Sequence, residues 1–152
     1  MNESQVRATP EARRRGLLLI WGAQLMSLAL LFGLTYVLRP ESSRDGNHTL
    51  AWMLGAVGFM AFVISFLVKR KLLAQAAAER RIDLGTTAYV LAFALCEVTG
   101  LLGFVAYIVT GLSYALHSFI IAAGGLALHF PARGALNGIE GDATTADFKT
   151  TL

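Results

Sequence analysis

Polar and charged positions in this chain are gathered between long apolar blocks. Residues 16–38 carry no charge over 23 positions, and residues 50–68 carry none over 19. Residues 84–132 hold a single charged side chain, Glu97, in 49 positions. A helix rises about 1.5 Å per residue, so about 20 apolar residues cross a hydrocarbon core about 30 Å thick. The third block is therefore long enough for two helices. The best place for a break is Thr110-Gly111-Leu112-Ser113, where glycine and small polar residues turn a chain readily.

This pattern predicts four helices, at about 16–38, 50–68, 84–109 and 113–131. Backbone amides and carbonyls in lipid must bond within the chain, which favours helices. The alternation expected of a membrane β-barrel is absent from the sequence. The predicted fold class is all-α, an integral membrane four-helix bundle forming one domain over residues 1–152. Residues 1–12 and the glycine-rich stretch 132–152 are expected to be disordered. The strong helix formers Leu72 to Glu79 are expected to prolong the second helix. The first block follows Arg13, Arg14 and Arg15, as a signal peptide would. Its apolar run is longer than the usual 7–15 residues and lacks a small-x-small site before Arg39, so a retained span is expected.

Composition agrees: 55% of residues are hydrophobic and 15% charged, against about 25% charged in ordinary soluble domains. The net charge of +3 resembles a nucleic-acid signal, but the basic residues flank the apolar blocks, so no nucleic-acid partner is expected. Arg7, Arg13, Arg14, Arg15, the run Lys69 to Lys71, Arg80, Arg81, Arg133 and Lys149 fall on one side of the predicted spans. Arg39 and Arg44, beside Glu41 and Asp45, fall on the other. The positive-inside rule then places both termini in the cytoplasm. The expected location is a membrane, taken as the inner (plasma) membrane of a bacterium, with the bilayer and other membrane subunits, or further copies of the chain, as partners.

Candidate chemistry is sparse. The single cysteine, Cys96, permits no internal disulfide and reads as a small hydrophobe. His48, His117 and His129 are far apart and have no metal-ligand spacing, so no metal or cofactor is expected. Ser113 and His117 are one helical turn apart, but no paired carboxylates, phosphate loop or recognisable nucleophile–base set accompanies them, and no enzyme is expected. Trp21, Tyr36, Trp52, Tyr107 and Tyr114 lie near span ends and read as interfacial anchors.

Glu97 is the costly residue. It lies 13 positions after Leu84, about 20 Å into its helix. A charged side chain at a helix centre in lipid costs about 2.5–3.5 kcal/mol by insertion scales, and loss of water favours the neutral acid. With no Lys or Arg inside any span, Glu97 is expected to bind an ion, to bond as a neutral acid to a backbone carbonyl or to Gln24, Ser65 or Thr99, or to dock a partner. Phe93, Ala94, Gly100, Leu101 and Phe104 share its face by helical spacing. Gly55, Gly58, Gly100 and Gly103 would admit close helix approach, and His117 and Gln24 read as interhelical or interfacial polar groups.

The run Thr86-Thr87-Ala88-Tyr89-Val90-Leu91-Ala92-Phe93-Ala94-Leu95-Cys96-Glu97, followed by Gly103-Phe104-Val105-Ala106-Tyr107, resembles the carboxylate-bearing helix of the proteolipid c subunit of rotary ATP synthases. The resemblance covers the hairpin 50–109, with the basic loop 69–81 in the matching place. It implies that Glu97 is an ion-binding carboxyl within a membrane assembly. The chain departs from that family in two places: its glycine ladder is absent, with only Gly55 and Gly58 in that helix, and its Arg-Gln-Pro loop is replaced by Lys69-Arg70-Lys71. Val98 follows the acid and residues 50–68 contain no glutamine, which favours a proton over sodium. The alternatives are an accessory membrane subunit with a permanently neutral Glu97, and a small proton-coupled exporter. Such exporters carry the acid in the first span, where this chain has Gln24.

Overall fold

A computed structural model describes residues 10–38, 47–79 and 81–131. Every element among them is helical: α1 (Pro10–Val37), α2 (His48–Glu79), α3 (Ile82–Thr110), a 3-10 turn (Ser113–Leu116) and α4 (His117–Leu128). The disorder expected for residues 1–9 and 132–152 concerns segments outside the described residues. Residues 10–12, expected in the loose N-terminal tail, belong to α1 instead. Pro10 opens that helix, where a missing N–H forfeits no intrahelical bond, and Glu11 lies at the favourable end of the helix dipole.

The other helix ends follow from local chemistry. Asn47 Oδ1 accepts a hydrogen bond from the Leu50 amide at 3.0 Å, capping the start of α2. α2 passes through Lys69-Arg70-Lys71 without interruption and ends after the alanine-rich stretch. α3 ends on Gly111, whose φ of 67° lies in the left-handed region and whose amide bonds to Tyr107 O at 2.8 Å. The fourth helix is shorter than the predicted 113–131. Its first four residues form the tighter 3-10 turn, and α4 stops at Leu128. Pro131 supplies the reason, because the residue before a proline is pushed away from helical angles.

α1, α2 and α3 are long and apolar enough to cross a membrane, and Ser113–Leu128 is a shorter apolar helix. α3 is the hub, packing against all three other helices. Its buried positions are Gly85, Ala88, Ala92, Cys96, Thr99, Gly103, Ala106 and Thr110 on one stripe, with Tyr89, Phe93 and Gly100 beside it. Steps of three and four keep that stripe on one face, and its small residues let backbones approach closely. The buried residues of α2 are Ala51, Gly58, Ser65 and Ala76, also small. Large apolar side chains point outward instead, including Leu19, Met26 and Leu30 on α1, Trp52, Met53 and Met60 on α2, and Ile120 and Leu128 on α4.

Candidate functional site

Glu97 sits mid-way along α3, 15 residues from Ile82 and 13 from Thr110. Its carboxyl turns toward α1, where Ser27 Oγ donates a hydrogen bond to Oε1 at 2.6 Å in a partly buried setting. Leu28, the residue after Ser27, packs over Gly100, where a Cβ would collide with it. α1 and α3 are therefore in contact one turn from the acid, which brings the serine within reach. Ser27 is a residue the sequence reading missed. A serine in an apolar helix carries no periodic signal, and only the α1–α3 register pairs it with Glu97.

The expected polar neighbours lie elsewhere. Gln24 is not hydrogen-bonded to Glu97. Thr99 faces α2, with its hydroxyl 2.9 Å from Gly58 O and 3.2 Å from Leu95 O. Ser65 also belongs to the α2–α3 side, and its hydroxyl donates to Phe62 O at 2.6 Å. His117 Nδ1 lies 2.7 Å from the Tyr114 carbonyl. Thr99 is two residues from Glu97 and so points about 200° around the helix from it, which places the two on different faces.

The glycines divide in the same way. Gly58 packs on the Thr99 backbone, where a Cβ would make ordinary contact at 3.5 Å. Gly103 accepts Ser118 of α4 so closely that a Cβ would clash. Gly55, expected to join helices, does not: a Cβ there would meet no atom within 4 Å. The glycine that was missed is Gly125, where a Cβ would lie 2.7 Å from Cys96 Sγ and 3.1 Å from the Phe62 ring. Trp21 is also more than an anchor. Its Nε1 donates to Leu126 O at 2.8 Å, and its ring meets Phe130 edge-on at 5.2 Å, tying α1 to the end of α4.

No family model, curated protein or solved structure matches this chain. The site therefore stands on its own geometry.

A second polar cluster lies where α2, α3 and the end of α4 meet. His129 is only 1% exposed. Its Nε2 is 2.9 Å from Ser65 Oγ and its Nδ1 is 3.3 Å from Lys69 Nζ. Ser65 already gives its only proton to Phe62 O, so Nε2 carries hydrogen and donates to the serine. Nδ1 then accepts from Lys69. That proton order makes Ser65 an acceptor rather than a nucleophile activated by the histidine. Cys96 Sγ completes the group at 3.8 Å from Ser65 Oγ, and Lys69 Nζ stands 4.4 Å above the Tyr89 ring. The cluster fastens the end of α4 to α2. Ser113, in the 3-10 turn, is not bonded to His117, whose Nδ1 turns to Tyr114 instead. Among the described residues no group of three His, Cys, Asp or Glu side chains forms a metal site.

Proposed function

We propose that the chain is an integral membrane protein with both termini on the cytoplasmic side, and that Glu97 binds a proton reversibly within a larger or multimeric membrane assembly. The distribution of basic residues supports the orientation. The span Ser113–Leu128 is about 26 Å long, from four 3-10 and twelve α-helical rises, close to the hydrocarbon thickness of about 30 Å. Slight local thinning of the bilayer accommodates the difference.

The observation that carries the proton-binding reading is the Ser27–Glu97 hydrogen bond. A neutral carboxyl accepts through its carbonyl oxygen and keeps its proton on the other oxygen. A carboxylate accepts through either oxygen. Ser27 thus remains a donor in both states, and the acid loads and unloads without breaking the α1–α3 contact. The half-buried position between two helices also leaves the carboxyl reachable from the bundle surface, as a partner subunit requires. The c-subunit resemblance of the hairpin points to the same role.

The same bond favours a second reading, in which Glu97 is neutral glue between α1 and α3. Two measurements on the full chain in lipid vesicles separate them. A hydrophobic carbodiimide reacts with a protonated carboxyl in apolar surroundings, so wild type should gain one adduct and Glu97→Gln none. Proton flux through the native assembly should fall with Glu97→Gln, whose amide oxygen still accepts from Ser27. Unchanged flux together with unchanged stability in Glu97→Gln sinks the proton-binding reading, and weakened assembly with intact flux favours glue.

A further inference from the structure

A partly open cavity of about 440 Å³ lies away from Glu97, between α2, α3, the 3-10 turn and α4. Its volume falls within the range of about 300–1,000 Å³ usual for small-molecule sites. Ala106, in its wall, is nine residues along α3 from Glu97, about 14 Å. The sequence makes this space by placing short side chains where helices would otherwise interlock. Ala51, Ala56, Ala106 and Ala115 line it, and so does Gly55, on which a Cβ would meet nothing within 4 Å. Trp52, Phe59 and Tyr114 supply aromatic surface. Trp52 and Tyr114 already associate, with ring centroids 5.9 Å apart, and His48 stacks on Tyr114 at 6.1 Å.

Two polar residues, His117 and Ser118, border this apolar space. A carbonyl can only accept, so the 2.7 Å contact with Tyr114 O places the proton of a neutral His117 on Nδ1. Its Nε2 is then an acceptor and calls for a hydroxyl donor. None of the lining residues is Lys, Arg, Asp or Glu, so a charged head group would find no counter-ion. The geometry points to a binding site for a neutral, membrane-soluble aromatic alcohol: a flat ring set among Trp52, Phe59 and Tyr114, donating its hydroxyl to His117 Nε2, with an apolar tail leaving by the open side. A phenol and a quinol share that chemistry. The site is independent of the role of Glu97.

The test uses the full-length protein in lipid nanodiscs, with 4-octylphenol as probe and 1-dodecanol as the ring-free control. Trp52 reports from the cavity, while Trp21 is held at the opposite end of the bundle and provides a constant background. Octylphenol should change the tryptophan emission saturably, and Trp52→Phe should abolish the change. Gly55→Leu should fill the cavity and remove saturation. Replacing exposed His117 by phenylalanine keeps a ring and removes Nε2, and should weaken apparent affinity about 3- to 10-fold. A hydroquinone of equal tail length should compete. A purely linear signal with octylphenol overturns the proposal, as does an equal response to dodecanol that His117→Phe leaves unchanged. If Gly55→Leu does not fold, the His117 and dodecanol comparisons still decide.

Discussion

Glu97, Ser27 and His129 show how much a single polar side chain depends on its partner. Ser27→Ala removes the one bond Glu97 makes to α1, and stability in detergent should fall by about 0.5–1.5 kcal/mol, read from thermal unfolding. Under the proton-binding reading the carbodiimide adduct should persist in that variant, because the acid remains. His129→Ala is expected to be more damaging than an ordinary surface change. It deprives buried Ser65 and half-buried Lys69 of the imidazole that links them, at about 1–3 kcal/mol. Equal unfolding midpoints for wild type and His129→Ala would show that the cluster does not hold α4. Of these three residues, Glu97 was legible in the sequence, since a lone acid in 49 positions needs no structure to be noticed. Ser27 and His129 were not, because a serine or histidine in an apolar run reads the same whether it is paired or idle.

Helix contacts are governed by where small residues fall. The 85–110 stripe of α3 meets Gly58 and Ser65 of α2 on one side and Ser118 and Gly125 of α4 on another. Gly103→Val should force α4 away from α3 and lower stability by about 1–3 kcal/mol, the usual cost of overpacking. Gly55→Ala should be neutral or stabilising by up to about 1 kcal/mol, since open space and a better helix former both favour alanine. Thermal unfolding of the two variants side by side gives the contrast, and equal losses would contradict the packing. The break after Thr110 was readable because Gly111 is a strong local signal. The difference between Gly55 and Gly58 was not, because two glycines three residues apart look alike until a partner helix lies against one of them.

Among the described residues many large apolar side chains point outward and α2 and α3 pack through small ones, while Phe93, Phe119 and Leu126 fill the centre; so much exposed apolar surface is unusual for a soluble domain. Under the proposed reading, those outward-facing side chains meet lipid. The proposed orientation predicts that a membrane-impermeant maleimide labels Lys71→Cys from the cytoplasmic side and Ser113→Cys from the other. Both positions are exposed, and native Cys96 is buried, so the background should be silent. Labelling of both from one face would overturn the topology.

Helix number, the α3 boundary and the isolation of Glu97 in an apolar run follow from the order of residues alone, because local propensity and apolar run length act along the chain. Which hydroxyl meets the acid, which glycine is covered, and where a cavity opens depend on register between helices far apart in sequence. A shift of one residue rotates a helix by about 100° and would replace every one of those neighbours.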